Sequence, residues 1–240
     1  FTITYSNEQN AIDAALIYGG FIELPEGYSQ NTTYNSSFSL IIFITVLMLK
    51  YGFTILLISQ IILFFSILIN FLGIYLIIKS IIRKSMDHLN SKLISFIFSY
   101  IALFIVGLNL GGGDYPVVIF SEHTFGMYSA SLPTLAVGLL ANGNVIFAFF
   151  SAFILLATHG VMGAWLIGVL FTTIVAYRIY YKELYMFKDV IIGSISGLIF
   201  FILFFSAHYY LKGNVQLISN TEYDLTFLKN WDLYWETHRN

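Results

Sequence analysis

A continuous apolar stretch without Asp, Glu, Lys or Arg, residues 145–177, constrains the fold most. It reads VIFAFFSAFILLATHGVMGAWLIGVLFTTIVAY, and His159 is its only side chain that titrates near neutral pH. About 20 apolar residues are enough to cross a bilayer, and backbone amides in the hydrocarbon must be satisfied by helix formation. We therefore expect one membrane-spanning helix with His159 near its middle. Four small residues on it would let a second helix approach closely: Gly160, Gly163, Ala164 and Gly168.

The composition indicates an integral membrane protein. Of its 240 residues 58% are hydrophobic and only 10% are charged, whereas soluble domains average about 25% charged residues. The net charge of −2 predicts no nucleic-acid partner. Because the chain has no cysteine, it cannot by itself form a disulfide or a thiolate metal site.

Three further apolar runs complete the predicted fold, an all-α polytopic transmembrane bundle of four to five spans: 53–78, 93–110 and 190–211. Residues 38–49 are apolar but too short to cross alone. They either extend the next helix or lie at the interface. We divide the chain into a polar, water-exposed N-terminal arm (1–37), the bundle (38–213) and a polar C-terminal tail (214–240).

Two basic segments, 79–92 and 178–189, predict the orientation in the membrane. Together they hold seven of the 11 Lys and Arg residues. With four spans both segments fall on the same side, and the positive-inside rule places that side in the matrix or cytoplasm.

Several ionisable residues are candidates for binding or structural roles. For His159 a hydrogen bond to a neighbouring helix or a lipid headgroup is favoured over a proton relay, which needs several titratable groups in succession. Arg178 and Lys182 are either topological charges or a clamp for a phospholipid phosphate. Glu122 is either a solvated loop acid or a buried one. We expect no catalytic residue, haem or metal site, since the chain offers neither a His pair on facing helices nor metal ligands at helical spacing.

Several short segments share their order with a known family. They are RKSMDHLNSKLISF at 83–96, Ser121-Glu122-His123, Gly143 followed by Ala157-Thr158-His159-Gly160 and Arg178, Asp189-Val190, and His208-Tyr209-Tyr210. Over about residues 53–213 this order resembles the later helices of subunit III of the haem–copper cytochrome c oxidases, in a divergent, organelle-encoded form. Met162 stands where that family has a second His, and the first two family helices have no counterpart.

The resemblance implies a non-catalytic subunit without a cofactor of its own. Such a subunit packs against the catalytic oxidase subunit in the mitochondrial inner membrane and binds phospholipid, with its basic loops facing the matrix. His159, Arg178 and Glu122 would be its structural and lipid-facing residues. Two other functions remain open: a proton-conducting subunit a of an F-type ATP synthase, which needs an Arg at mid-membrane, and an accessory subunit of another respiratory complex.

Overall fold

The computed structural model describes residues 10–22, 38–83, 88–107, 124–181, 186–211 and Leu225. These residues form eight helices and no strand. The helices are α1 (Asn10–Tyr18), α2 (Leu40–Lys50), α3 (Ile55–Ile82), α4 (His88–Gly107), α5 (Thr124–Ala141), α6 (Val145–Thr158), α7 (Gly160–Tyr181) and α8 (Met186–Leu211). The chain divides into two compact units, unit 1 (Phe1–Leu63, Glu122–Phe125 and Phe204–Asn240) and unit 2 (Phe64–Ser121 and Gly126–Leu203).

Three helices of the described part, α3, α7 and α8, are long and apolar enough to cross a membrane. This confirms the all-α fold class and the transmembrane character. The other apolar helices, including α2 and α6, are shorter, so the count of four to five spans stays a prediction.

Helix α2 excludes one of the two options for residues 38–49, the extension of the next helix. The hydroxyl of Ser39 caps its start by accepting the Ile41 N–H at 3.3 Å. Its end is marked by a turn in which Gly52 has a φ of 79°, a left-handed conformation that glycine adopts without steric cost. Helix α2 is therefore separate from α3, and its 11 residues cover only about 16 Å.

The N-terminal arm is not water-exposed where the structure describes it. Ile12, Ala14 and Leu16 of α1 have no exposed surface, and even Asp13 is only 1% exposed. The apolar residues of α1 pack within unit 1, so the predicted exposure is wrong for residues 12–21. Residues 1–9 and 23–37 of the arm, and all of the tail except Leu225, lie outside the described residues.

Residues 145–177 form two helices, so the single span predicted there is wrong. Helix α6 ends at Thr158, His159 is extended (φ −145°, ψ 96°), and α7 begins at Gly160. A Cβ built on Gly163 would overlap with Cα of Leu156, so the two backbones are in contact. In a continuous helix these residues would be about 10 Å apart along the axis. The chain therefore turns back at His159.

The apolar core of unit 2 explains why the hairpin forms. Its buried members are spaced three or four residues apart on both helices: Val145, Ala148, Phe149, Ala152 and Leu155 on α6, and Leu166, Leu170 and Ile174 on α7. Each helix thus presents an apolar stripe to the core. An antiparallel pair brings the two stripes together, and the close packing of their side chains is the main attraction between helices in a membrane.

Helices α3 and α5 run parallel in unit 2. The hydroxyls of Ser66 and Ser131 are 3.1 Å apart. Further along both helices, a Cβ on Gly138 would lie 2.6 Å from the carbonyl oxygen of Gly73, so the two backbones are in contact there. At the end of α5, Asn142 contacts Leu76.

Helices α6 and α8 are parallel too, and this fixes where the charges lie. A Cβ on Gly193 would meet the Ile146 carbonyl oxygen at 2.7 Å, and one on Gly197 would meet Phe153. The end of α3, the start of α4, the α5–α6 turn, the end of α7 and the start of α8 therefore share one end of unit 2. We call it the basic end, because it carries Lys79, Arg83, Lys92, Arg178 and Lys188. His159 lies at the opposite end.

Candidate functional site

The basic end gathers cations that are far apart in sequence. Lys79 is in the last turn of α3 and Arg178 is in the last turn of α7. Asp189, in the first turn of α8, is the one acidic residue among the described residues of unit 2. The excess of positive charge suits an anionic membrane surface or a phosphate-bearing headgroup.

Arg178 has the clearest geometry at this end. Its side chain is exposed, and its guanidinium carbon lies 5.0 Å from the ring centroid of Phe187. A cation over an aromatic face at this distance is attracted by the ring quadrupole. The contact with Phe187 holds the guanidinium near this ring. A guanidinium has five N–H donors, and with these Arg binds phosphate bidentately.

Two other candidates lie outside the described residues. Lys182 follows the end of α7, and Glu122 precedes α5. Their proposed roles in lipid binding or structure stay predictions.

His159 is placed differently from the sequence expectation. It is half-buried at the vertex of the α6–α7 hairpin, and its Nδ1 accepts the Met162 N–H over a long distance of 3.4 Å. From Gly160 to Arg178 the helix rises about 27 Å, close to the roughly 30 Å of a bilayer core. His159 lies between two helices, so its predicted position near the middle of a single span is wrong.

Three of the four small residues of α7 form an open ridge. Gly160, Ala164 and Gly168 are four residues apart and all exposed, so they share one side of the helix. A Cβ at Gly160 or Gly168 would meet no described atom within 4 Å. Gly163, by contrast, is buried against Leu156 and serves the internal packing of the hairpin. We call the first three residues the α7 ridge.

An aromatic cluster in unit 1 could not be anticipated from the sequence. The Tyr18 hydroxyl donates to the carbonyl oxygen of His208 at 2.8 Å, although 190 positions separate the two. Their rings stack with centroids 4.5 Å apart, and Phe38 meets His208 edge-on at 5.0 Å. Burial raises the pKa of Tyr18 from 10.0 to about 12, so its hydroxyl stays a donor at all physiological pH values. The apolar residues of α1 were the only hint in the sequence.

Comparison with known protein families, with curated proteins and with solved structures found no match to this chain. Within the described residues, no group of three or more His, Asp or Glu side chains is arranged to hold a metal ion. The function therefore has to be argued from the membrane helices, the basic end and the α7 ridge.

Proposed function

We propose that this chain is a non-catalytic core membrane subunit of a respiratory cytochrome c oxidase in the mitochondrial inner membrane. It packs against the catalytic subunit and binds phospholipid, with its basic end towards the matrix. The observation that carries the proposal is the position of the family-like segments. Gly143 has a φ of 80° in the turn before α6, Arg178 is in the last turn of α7, and Asp189 is in the first turn of α8. Each lies at the helix boundary that the resemblance assigns to it.

One segment departs from that pattern. The resemblance implies a single helix from Gly143 to Arg178, whereas the chain forms a hairpin at His159. The fold around His159-Gly160 therefore differs from the single helix that the resemblance implies. Gly143, Arg178 and Asp189 still follow one another at helix boundaries in the implied order.

The α7 ridge supports a packing role. Small residues at every fourth position let two helix backbones approach closely, and in a membrane such contact replaces the hydrophobic effect as the main force between helices. Because no described part of the chain covers Gly160 or Gly168, the ridge suits a helix of another subunit. Non-catalytic subunits act mainly through such contacts.

The basic end supports both the orientation and the lipid-binding role. Cytoplasmic and matrix loops carry an excess of Lys and Arg, and Arg178 is oriented by Phe187. A phospholipid phosphate at this end would be held by the guanidinium fork and by the surrounding positive charge.

The position of Arg178 does not favour the ATP synthase alternative. A proton-conducting subunit needs an Arg within the membrane, facing the carboxylates of the rotor. Arg178 lies in the last turn of α7, and α3, α7 and α8 contain no other Arg.

A pull-down tests the proposed assembly. The full chain is tagged at the C-terminal tail, solubilised in mild detergent and purified with its partners. A haem a-type band in the reduced-minus-oxidised spectrum, with copper in the eluate, is the expected result. ATP hydrolysis without haem would move the chain to the ATP synthase. The absence of both signals would leave an accessory subunit of another complex and refute the oxidase proposal.

A further inference from the structure

A groove of about 510 Å³ runs between α3 and α4 in unit 2. Three residues of each helix line it: Phe71, Leu72 and Tyr75 of α3, and Lys92, Leu93 and Phe96 of α4. Its volume is within the range of roughly 300–1,000 Å³ that is usual for small-molecule sites. The sequence alone does not reveal this groove, because its two walls come from separate helices.

The groove is apolar at one end and cationic at the other. Phe71 and Phe96 meet edge-to-face with ring centroids 5.4 Å apart, at the end directed away from the basic end. Lys92 lines the opposite end. There Lys79 places its Nζ 5.9 Å from the ring centroid of Tyr75. From Phe71 to Lys79 the helix rises about 12 Å.

This polarity matches a membrane lipid in its ordinary orientation. An acyl chain lies towards the bilayer centre and its headgroup lies at the interface, where Lys side chains extend their ammonium groups. Phe71 and Phe96 would face the acyl chain, and Lys92, with Lys79 beside Tyr75, would face the headgroup. Among the described residues that line the groove, Lys92 is charged and none is acidic, so the charge complementarity favours an anionic headgroup.

A transmembrane helix of a partner is a poorer occupant. An α-helix with its side chains is about 10 Å wide and makes contacts over several turns. The groove is only one to two turns long on each wall, and Lys92 at its mouth would be placed against the apolar surface of such a helix.

We propose that this groove binds one acyl chain of an anionic phospholipid, with Lys92 and Lys79 holding the headgroup phosphate. The site depends only on the insertion of the chain into a membrane, and not on the assembly proposed above. It is also separate from Arg178, which does not line the groove.

Native mass spectrometry of the purified full chain tests the headgroup contact. The detergent-solubilised protein is titrated with phosphatidylglycerol or with phosphatidylcholine of the same acyl composition. We expect phosphatidylglycerol to bind more tightly, and Lys92→Gln to weaken it about fivefold, as one interfacial lysine is worth about 1 kcal/mol. Lys50→Gln removes an exposed lysine outside the groove and is expected to have no effect. Equal binding of both lipids, or equal effects of the two variants, would overturn the proposal.

A second measurement needs no variant. Phosphatidylglycerol with a photoactivatable group in its acyl chain is added to the wild-type chain, irradiated and mapped by peptide sequencing. Adducts concentrated on residues 71–75 and 93–96 support the groove. Adducts spread evenly over the exposed apolar faces of α7 and α8 refute it. Either result is obtained with the isolated chain, so a failed oxidase pull-down does not decide it.

Discussion

The side chain of Asn142, next to the end of α5, contacts Leu76 of α3, which is 66 positions earlier in the chain. Its Nδ2 donates to the carbonyl oxygen of Leu76 at 2.6 Å and to that of Gly138 at 2.8 Å. This contact holds the end of α5 against α3 and so contributes to the alignment of the basic end.

Replacing Asn142 should therefore destabilise unit 2. Asn142→Ala removes both hydrogen bonds, and we expect a loss of about 1–2 kcal/mol in unfolding free energy, the usual value for such bonds. Thermal unfolding in detergent, followed by size-exclusion chromatography, measures the shift. Asn144→Ala is the matched control, because Asn144 is exposed and its side chain caps nothing. Equal shifts for the two variants would contradict the role of Asn142.

The hairpin at His159 can be tested by a distance. The chain has no cysteine, so Phe147→Cys and Phe171→Cys, both at exposed positions, take spin labels without background. In one continuous helix the labelled residues would be roughly 36 Å apart along the axis. In the antiparallel hairpin we expect well under that distance by pulsed electron resonance. A distribution centred near the longer value would restore the single span.

Arg178 should retain anionic phospholipid through its fork of N–H donors. Arg178→Gln is expected to lower the amount of co-purified anionic lipid several-fold, and Arg178→Lys to lower it less, because Lys keeps the charge but not the bidentate geometry. Quantitative lipid mass spectrometry measures both. Arg83→Gln removes the same charge from the same end. An equal loss in that variant would show that only bulk charge matters.

The α7 ridge should serve assembly and not the folding of the chain itself. Ala164→Leu adds bulk at an exposed position, so the isolated protein should keep its unfolding free energy within about 0.5 kcal/mol. We expect the recovery of partner subunits in the pull-down to fall. Ala141→Leu makes the same change at an exposed alanine at the end of α5. If both variants recover partners at the wild-type level, the ridge is not the interface.

Unit 1 should loosen at alkaline pH. The pKa of Tyr18 is raised from 10.0 to about 12 in the folded protein. Below pH 10 the phenol is protonated in both states and has no effect on stability. As the pH rises from 10 towards 12, Tyr18 ionises in the unfolded chain but stays neutral when folded, so stability is lost. The difference in tyrosinate absorbance between wild type and Tyr18→Phe measures this titration. Tyr51→Phe, which removes an exposed phenol, is the control, and indistinguishable difference curves would contradict the prediction.

Hydropathy was sufficient to predict a bundle of apolar helices, but not where the chain turns between them. Residues 53–78 and 190–211 were correctly assigned to long helices, because uniform apolar runs leave the backbone no other choice in a membrane. The same uniformity concealed the turn at His159, since the segment contains neither Pro nor a charged residue. The turn is determined by the packing of the buried stripe of α6 against that of α7. Hydropathy does not show which helix faces pack together.

The grouping of the basic segments was predicted although the helices between them were not. The sequence reading placed one span between 93–110 and 178–189, whereas the chain has α5, α6 and α7 there. Two additional helices are an even number, so the described cations of the two segments still share one end of unit 2: Lys79, Arg83, Lys92, Arg178 and Lys188. The contact of Tyr18 with His208 had no such regularity behind it, because contacts between distant segments depend on packing that no local pattern encodes.

The hairpin has a consequence for how the protein is made. Helix α6 leaves the ribosome before α7, and its 14 residues are fewer than the about 17–25 that a stable crossing requires. By itself it would be a weak substrate for lateral release from an insertase. Once α7 has been synthesised, the two buried stripes join and the pair can enter the lipid together. Insertion of this segment should therefore wait for the codons that follow His159.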